Sequence, residues 1–458
     1  MSLSKSSVDR MLLGVALASA AAAQGQDCRW APLGFGLTEG FDPSPQAMHV
    51  FNDGTGEALY VAGNFQRAGG VPALGVARWD GSEWSDLDGG TFFSGPSALA
   101  SFDDGSGLAL YAAGDFFEAG GAPAEKIARW TRATGWEPVG GGLNTGGGPA
   151  LSLATFDDGT GEALYVGGVI ETAGGVPVRN IARWDGAAWS DVGGGIFGSV
   201  LALEVFDDGT GRALYAAGRF SIAGSDTALN VAKWDGTQWS PVGTGLTSFD
   251  GRPAVVVLEV YDDGTGPALY AGGKFDRPGG GSAEQFINIA RWNGTRWSAV
   301  GAGVPGWSPT LRTVQTMAVH HPGDGALLYV GGYFNTIETG PANNLATWDG
   351  QRWAAVGDGL DNAVFELAVF DAGSGPELIA GGSFTEVDGI RVNSIARLEG
   401  CVGSCRADVF PDGELNIFDF LAFQNLFDAG DPAADFDGDG RLTIFDFLVF
   451  QNEFAAGC

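Results

Sequence analysis

A segment of about fifty residues recurs seven times in this chain of 458 residues, and this repeat constrains the fold more than any other feature. Each copy has a Leu at the start of a run such as Leu-Tyr-Val-Gly-Gly. Successive copies are 51, 54, 50, 55, 59 and 50 residues apart, measured between Leu59, Leu110, Leu164, Leu214, Leu269, Leu328 and Leu378. A nearly constant period of this length indicates one supersecondary unit that is repeated along the chain and packs against its own copies.

Each unit contains four short apolar runs separated by turn sequences. The first run ends at an Asp-Gly turn, the second is the Leu-anchored run, the third ends near a Trp, and the fourth begins at the next Trp. Asp-Gly between alternating apolar residues is typical of a tight hairpin, because Gly accepts a positive φ. Four strands in each unit predict an all-β seven-bladed propeller with four strands per blade.

The last unit is incomplete, and the start of the chain supplies what it lacks. The seventh unit has Leu398 where other units have a Trp, and its pattern stops at Gly400 before a fourth strand. Residues 28–34 (CRWAPLG) match the fourth-strand pattern of the other units. We therefore expect the N-terminal strand to complete the last blade, which closes the ring and removes open sheet edges.

The four cysteines fit this closure. Cys28 and Cys401 both align with the turn between the third and fourth strands, which is the turn that the closure interrupts. Four cysteines allow three pairings, and this alignment favours a Cys28–Cys401 disulfide, which leaves Cys405 to pair with Cys458.

The repeats resemble kelch-like propellers and the central domain of galactose oxidase. The resemblance covers residues 28–401 and rests on the Gly-Gly pair, the spaced aromatic residues and the period. It implies a fold and not a function. The chain has no spaced His pair for copper, so the resemblance does not carry the activity of galactose oxidase.

The N-terminus and the charge of the chain indicate where the protein acts. Lys5 and Arg10 precede an apolar run over residues 11–23, which predicts a signal peptide over residues 1–26 and a secreted or cell-surface protein without a transmembrane segment. A membrane anchor is the alternative, but the run is short for one. The net charge of −31 disfavours nucleic acids and anionic membranes as partners.

The C-terminal residues 405–458 contain a duplicated motif in which an acidic loop precedes an amphipathic helix. Residues 414–427 and 441–454 are identical at 10 of 14 positions. Alternating carboxylates, a turn Gly and a carboxylate at the twelfth position are the ligands of a Ca²⁺ loop. The predicted ligands are Asp435, Asp437, Asp439, Arg441, Thr443 and Asp446 in the second loop and Asp408, Asp412, Glu414, Asn416 and Asp419 in the first.

We expect Ca²⁺ to bind more weakly at the first loop, because Phe410 replaces a ligand there. An acidic turn without an ion is the alternative for either loop.

Paired loops of this kind that end in Gly-Cys resemble a dockerin module, which attaches secreted proteins to cohesin partners. The resemblance implies a cohesin-like partner or a surface anchor. It places partner-binding residues at Ile417, Phe418, Ile444 and Phe445. In two alternatives the Phe residues pack inside the protein, or the tail is an intramolecular Ca²⁺ clamp without a partner.

Two exceptions to the repeat are candidate sites on the propeller. The first consists of aromatic residues in connections between blades, namely Trp307, Phe93 and Phe249, which could bind a sugar ring or a protein or could plug the core. The second lies on the innermost strands, where Glu204, Glu259 and His49 occupy positions that are Ala in the other units. Two carboxylates could act as acid and base on a glycan, but a solvated channel lining is the favoured interpretation.

The sequence therefore predicts a secreted, non-catalytic binding or scaffold propeller over residues 28–401. A Ca²⁺-dependent dockerin-like module over residues 405–458 would attach it to a surface or a multiprotein complex. The alternative is a carbohydrate-active enzyme that degrades polysaccharides and is delivered by its dockerin.

Overall fold

A computed structural model describes residues 29–40, 42–92, 94–281, 283–306, 313–322, 325–399, 409, 417–429, 434, 436 and 441–456. The chain divides into a larger unit, Arg29–Glu399, and a smaller unit that holds the C-terminal residues. The predicted signal peptide, the four cysteines, Trp307 and Phe93 lie outside the described residues. The predicted disulfides and the signal peptide therefore stay predictions.

The larger unit contains seven antiparallel sheets, which we number 1 to 7 along the chain, each with a path of four hydrogen-bonded strands. The strands of sheets 1 to 4 are, in hydrogen-bonded order, Ser44–Asn52, Glu57–Asn64, Val76–Trp79 and Trp84–Asp86; Pro96–Asp103, Leu108–Gly114, Ile127–Thr131 and Gly135–Pro138; Ala150–Asp157, Glu162–Gly168, Ile181–Trp184 and Trp189–Asp191; Ile196–Asp207, Arg212–Ala223, Val231–Trp234 and Trp239–Pro241. In sheet 4, the strand Asp226–Thr227 also pairs with the second strand.

Sheets 5 to 7 have the same order, and the last of them takes its fourth strand from the N-terminus. Their strands are Ala254–Asp262, Pro267–Lys274, Ile289–Trp292 and Trp297–Ala299; Val314–His320, Leu327–Gly332, Leu345–Trp348 and Trp353–Ala355; Val364–Asp371, Pro376–Gly382, Ile395–Glu399 and Arg29–Pro32. In sheet 7, Trp30 lies opposite Leu398, at the position where Trp84 lies opposite Trp79 in sheet 1.

Two-residue strands in the loops form small ribbons beside these sheets. They are Leu37–Thr38, Arg67–Ala68 and Val71–Pro72; Thr91–Phe92, Glu118–Ala119 and Ala122–Pro123; Leu143–Asn144, Thr172–Ala173 and Val176–Pro177; Leu246–Thr247 and Arg277–Pro278; Thr336–Ile337 and Gly340–Pro341; Glu386–Val387 and Ile390–Arg391.

The turn sequence explains the first hairpin of each sheet. In sheet 3, the carboxylate of Asp157 accepts hydrogen bonds from the backbone N–H groups of Gly159 at 2.8 Å and Gly161 at 3.0 Å. Both glycines have a positive φ, 93° and 114°, which a residue with a Cβ adopts only at a cost. The Asp-Gly signal in the sequence is therefore a turn held by its own side chain.

The seven first strands contact one another in a cycle that includes a contact between sheets 7 and 1. Gly81 of sheet 1 lies against Ala372 of sheet 7, and the indole N–H of Trp84 donates to the carbonyl oxygen of Leu33, just after the N-terminal strand, at 2.9 Å. The N-terminal segment thus contacts both the end and the start of the repeat array.

The apolar core lies between consecutive sheets. One cluster joins Phe156 and Tyr165 of sheet 3 to Val200, Leu214 and Trp234 of sheet 4. Equivalent clusters join sheets 1 and 2, 2 and 3, 4 and 5, and 5 and 6, and another combines side chains of sheets 7 and 1. Each fully buried large apolar side chain contributes about 1.5–3 kcal/mol to folding, so this alternation of sheet and core holds the array together.

The smaller unit contains two helices, α1 (Ile417–Ala429) and α2 (Ile444–Ala456). They pack through equivalent aromatic residues of the duplicated motif. Phe423 and Phe450 stack with their ring centroids 4.1 Å apart and their planes 4° apart. The prediction of a mostly β chain with a small helical C-terminal part is confirmed. Among the described residues, no helix has both the length and the apolar character needed to span a membrane.

Candidate functional site

The antiparallel order gives the larger unit two faces with different chemistry. The turn face carries the turns between first and second strands and between third and fourth strands. The loop face carries the loops between second and third strands and the connections between sheets. The first strands form the inner lining of the unit.

On the turn face, a buried carboxylate recurs with the same partners. In sheet 3, Asp158 accepts a hydrogen bond from the hydroxyl of Tyr165 at 2.8 Å and pairs with Nε of Arg183 at 3.1 Å. Burial alone would raise the pKa of Asp158, but hydrogen bonds from Thr160 and Tyr165 and the charge of Arg183 hold it below its ordinary value. Corresponding groups are Asp53, Tyr60 and Arg78; Asp104, Tyr111 and Arg129; Asp208, Tyr215 and Lys233; Asp263, Tyr270 and Arg291.

These groups are structural, because each recurring carboxylate pairs with a tyrosine hydroxyl and a basic side chain of its own sheet, and Asp53 accepts in addition from Arg132 of sheet 2. A buried ion pair whose members are also hydrogen-bonded is stable only as a complete set. The repeated Asp residues are therefore not a ligand site.

On the inner strands, the register places the predicted channel residues as expected. Glu204 lies opposite Tyr215, Glu259 opposite Tyr270 and His49 opposite Tyr60, which is one equivalent position in three sheets. All three side chains are half-buried. His49 Nε2 lies 3.2 Å from Ser101 Oγ, and burial lowers the pKa of His49.

The channel carboxyls have raised pKa values. Burial raises the pKa of Glu204 to about 7, against a hydrogen bond from the N–H of Val205. Burial also raises the pKa of Glu259 well above its ordinary value, with further increases from the charges of Glu204 and Glu366.

Glu366 on sheet 7 belongs to the same channel and was not predicted. Burial raises the pKa of its carboxyl to about 8, although the N–H of Met48 donates to it. It lies opposite Gly381, a position that Ala47, Ala98, Ser152, Ala202, Val257 and Thr316 occupy in the other sheets. Alignment of this second inner position would have found it, because no other unit has a carboxylate there.

A carboxyl that titrates near neutral pH is able to donate or accept a proton. Among the described residues, no group of three or more His, Cys, Asp or Glu side chains is arranged to hold a metal ion. The inner strands therefore offer proton exchange and hydrogen bonding. The predicted solvated channel lining and its alternative, catalysis by Glu204, Glu259 and His49, are both untested.

On the loop face, the predicted aromatic residues are only partly described. Phe249 is 84% exposed, and the guanidinium of Arg277 lies 5.1 Å from its ring centroid. Phe197 is also exposed, with Arg179 at 3.9 Å. Phe35 is exposed on this face as well and was not predicted. These rings are spread over several sheets and do not gather into one site.

A large concavity on the loop face lies between sheets 6 and 7. It has a volume of about 860 Å³. Its lining consists of Tyr333, Phe334, Asn335, Asn343, Asn344, Asp358, Gly359, Leu360, Asp361, Asn362, Glu386, Val387, Asp388 and Gly389. We call it the 6/7 cleft. Sequence reasoning missed it, because no repeated motif marks its residues.

In the tail, the described members of the predicted Ca²⁺ loops are Arg441, Thr443, Asp446 and Asp419, and the other seven predicted ligands lie outside the described residues. Asp419 and Asp446 are fully buried at equivalent places in the first turn of α1 and α2. Asp446 Oδ2 accepts a hydrogen bond from the N–H of Thr443 at 2.6 Å, and Thr443 Oγ1 accepts one from the N–H of Phe445 at 3.1 Å.

This arrangement is a capping box, which is stable without an ion. The donor set also fits the end of a Ca²⁺ loop, because a carboxylate at the twelfth position of such a loop supplies oxygen ligands. These residues therefore fit a Ca²⁺ site, and the prediction of Ca²⁺ stays untested.

The tail also exposes apolar side chains at equivalent positions of its two halves. Ile417 and Ile444 are 62% and 63% exposed, and Phe445 is 63% exposed. Leu421 and Leu448, one turn further along each helix, are exposed as well. These two leucines were not predicted, although their spacing of four residues from Ile417 and Ile444 places them on the same helix face. The side chain of Phe418 lies outside the described residues.

No protein-family model and no curated protein matches the chain. Among solved structures, the chain is similar to the extracellular domain of BT4673 from B. thetaiotaomicron, described as a hybrid two-component system, with 10% identity over 81% of this chain and 39% of that chain and a TM-score of 0.47. A second structure of that domain, described as part of a one-component system, has 11% identity over 81% of this chain and 40% of that chain and a TM-score of 0.44. The chain thus spans less than half the length of either structure, and likeness at this level carries no argument about function.

Proposed function

We propose that the protein is a secreted, non-catalytic binding protein with a β-propeller head and a docking tail. In this proposal the seven sheets are the blades of the propeller, and the C-terminal unit is a Ca²⁺-dependent dockerin-like module. The module attaches the head to a cohesin-like domain on a surface or in a multiprotein complex. The cyclic contacts of the first strands support the propeller, because seven sheets that contact one another in a cycle have the connectivity of that fold.

The observation that carries the docking role is the exposed apolar face of the tail. Ile417 and Leu421 on α1 and Ile444, Phe445 and Leu448 on α2 are exposed, whereas Phe423 and Phe450 are buried between the helices. Large apolar side chains grouped on the surface of a small unit favour a partner surface. Because the two helices repeat these positions, the partner would meet a nearly identical face on either helix.

The test is binding of the full-length secreted chain to immobilised recombinant cohesin domains in millimolar Ca²⁺ and in excess EGTA. Three variants are compared: I417S/L421S, I444S/L448S, and the combination of all four changes. We expect each two-residue variant to retain binding within a few-fold, the combination to weaken it at least about 100-fold, and EGTA to abolish it. The variant Q424A/Q451A changes exposed, equivalent polar residues and serves as the control.

Binding that ignores EGTA, or that survives the combined variant, would reject the docking role. A chain that binds Ca²⁺ but captures no cohesin domain would favour an intramolecular clamp.

A carbohydrate-active enzyme is the second candidate, and the pKa of about 7 at Glu204, with Glu259 close enough to interact electrostatically, favours it. A general acid needs such a pKa. Release of reducing ends from polysaccharides by the wild type, and its loss in E204Q and E259Q, would establish the enzyme in place of the binding protein.

A further inference from the structure

The 6/7 cleft is much larger than the equivalent groove between sheets 2 and 3. The two concavities have volumes of about 860 and 290 Å³. Both lie on the loop face, between the loop after the second strand of one sheet and the connection into the next sheet. The difference therefore comes from residues at equivalent positions and not from a different place in the fold.

Relative to the 6/7 cleft, two larger side chains and a longer connection narrow the groove between sheets 2 and 3. In the groove between sheets 2 and 3, the ring of Phe117 lies under the ammonium of Lys126 at 4.6 Å, and this pair fills the space. The equivalent residues of sheet 6 are Asn335 and Asn344, which have smaller side chains. The connection into sheet 7 also has three fewer residues than the connection into sheet 3, counted from Leu360 to Val364 and from Leu143 to Ala150.

The walls of the cleft are held in place by hydrogen bonds. Asn344 accepts from the N–H of Phe334 at 3.3 Å and donates to the carbonyl oxygen of Leu360 at 3.0 Å. Asp361 accepts from the N–H and the hydroxyl of Thr385 at 2.8 and 2.9 Å. These bonds tie the sheet 6 loop, the connection and the sheet 7 loop together, so the concavity exists before any ligand arrives.

Other polar side chains of the cleft are available for hydrogen bonds with a ligand. Asn335, Asp358 and Glu386 are exposed and form no side-chain hydrogen bond with the residues that the structure describes. Tyr333 lines the same cleft, half-buried with its ring 5.8 Å from that of Phe365. An amide, two carboxylates and an aromatic ring thus face one concave space.

This chemistry selects a neutral, hydroxyl-rich ligand. The lining contains carboxylates and no Lys or Arg, which disfavours phosphate, sulfate and uronic acids. The carboxylates are not arranged to surround a metal ion in the described part of the chain. Carboxylates and amides do bind the donors and acceptors of neighbouring hydroxyl groups, and an aromatic ring packs against an apolar sugar face.

We propose that the 6/7 cleft binds a neutral oligosaccharide, with Tyr333 against a sugar ring and with Asn335, Asp358 and Glu386 hydrogen-bonded to its hydroxyl groups. This inference rests on the proposed function of the sheet unit as a binding head, and it places the ligand in a cleft that Phe249 does not line.

The test is isothermal titration of the full-length secreted chain with gluco-, xylo- and manno-oligosaccharides of about six sugars and with an oligogalacturonate as the charged comparison. The variant N335F places in the cleft the residue that fills the equivalent groove, and F117N makes the reverse change in the groove between sheets 2 and 3. Both positions are exposed, so both variants should fold. We expect a neutral oligosaccharide to bind, N335F and Y333A each to weaken it at least about tenfold, and F117N to change it less than about twofold.

Unchanged binding in N335F, binding of the oligogalacturonate alone, or binding of no oligosaccharide on the panel would overturn the proposal. The same N335F sample is assayed for cohesin binding, because its tail is intact. Retained cohesin binding with no sugar binding in the wild type would reject the cleft and keep the docking role, and the reverse result would reject the docking role and keep the cleft.

Discussion

The turn face and the inner channel both contain carboxylates shielded from solvent, yet their electrostatics are opposite. On the turn face, Asp104 and Asp208 each have a hydroxyl donor and a basic partner, which outweigh burial and lower the pKa to about 2. In the channel, Glu204 and Glu366 have only a backbone N–H, and burial raises the pKa to about 7 and about 8.

The difference separates structure from function within one repeat. A carboxylate that recurs in five sheets with the same partners contributes to the fold of each sheet. The channel carboxylates occur in only some of the sheets, and burial without a charged partner costs stability at neutral pH. Groups that are retained at a cost to stability are candidates for function.

The largest expected loss of stability comes from removing the buried carboxylate of a turn-face group. Replacing Asp158 by Ala removes the buried carboxylate that pairs with Nε of Arg183 and leaves Tyr165 without its acceptor. We expect the free energy of unfolding to fall by about 3 kcal/mol. The measurement is urea unfolding followed by tryptophan fluorescence, which reports on the sheet unit alone because residues 405–458 contain no Trp.

The control is E162A, an exposed residue of the same hairpin. It should change the free energy of unfolding by less than about 0.5 kcal/mol. A loss below about 1 kcal/mol in D158A would show that the group is solvent-screened and does not act as a buried pair.

The second prediction concerns Glu366 on an inner strand, where removal of a carboxylate should raise the free energy of unfolding instead of lowering it. The pKa of Glu366 in the folded state, about 8, exceeds its ordinary value of 4.5, so the native state binds more protons than the unfolded state between these two pH values. The stability that this proton contributes is therefore complete below about pH 4.5 and is lost as the pH rises to about 8. Replacing Glu366 by Gln should raise the free energy of unfolding at pH 8 by about 2 kcal/mol, because the half-buried side chain is partly screened, and should have little effect near pH 4.5.

The measurement is the same unfolding experiment repeated from pH 4.5 to 8. The exposed change E162Q should leave the pH dependence unaltered. If E366Q destabilises the chain at pH 8, the carboxylate has a partner there and the contrast with the turn face is wrong.

Local chemistry explains why the fold was predictable from the sequence. The Asp-Gly turns, the Leu-anchored strands and the fourth strand at Arg29–Pro32 each follow from a few neighbouring residues and from their recurrence. The equivalent placement of Glu204 and Glu259 also follows from alignment of the units, because register fixes which side chains point inward.

The candidate cleft was not predictable by the same reasoning. Its lining combines the loop of sheet 6, the connection into sheet 7 and the loop of sheet 7, and these segments form a concavity only when the two sheets pack together. The sequence pattern indicated Phe249 as a candidate ligand contact, and the ring of Phe249 lies beside Arg277, outside the cleft. Glu366 was not predicted because it lies two residues before Ala368, the position of sheet 7 that is equivalent to Glu204 and Glu259.

The smallest expected effect is a difference in stability between two Trp variants, because one of the two Trp side chains lacks a hydrogen bond that the other forms. The first Trp of the fourth strand donates its indole N–H to a carbonyl of the preceding sheet, and Trp239 does so to Val192 at 2.8 Å. Trp189 occupies the same position in sheet 3 and is equally buried, yet its indole N–H has no acceptor among the described residues. Replacing either Trp by Phe removes similar apolar volume, but only W239F also removes a hydrogen bond, after which the Val192 carbonyl oxygen keeps the N–H of Gly195 alone. We expect W239F to reduce the free energy of unfolding by about 1 kcal/mol more than W189F does in urea unfolding. Equal losses would mean that these hydrogen bonds add nothing beyond packing, and that the contact between sheets depends on the apolar core alone.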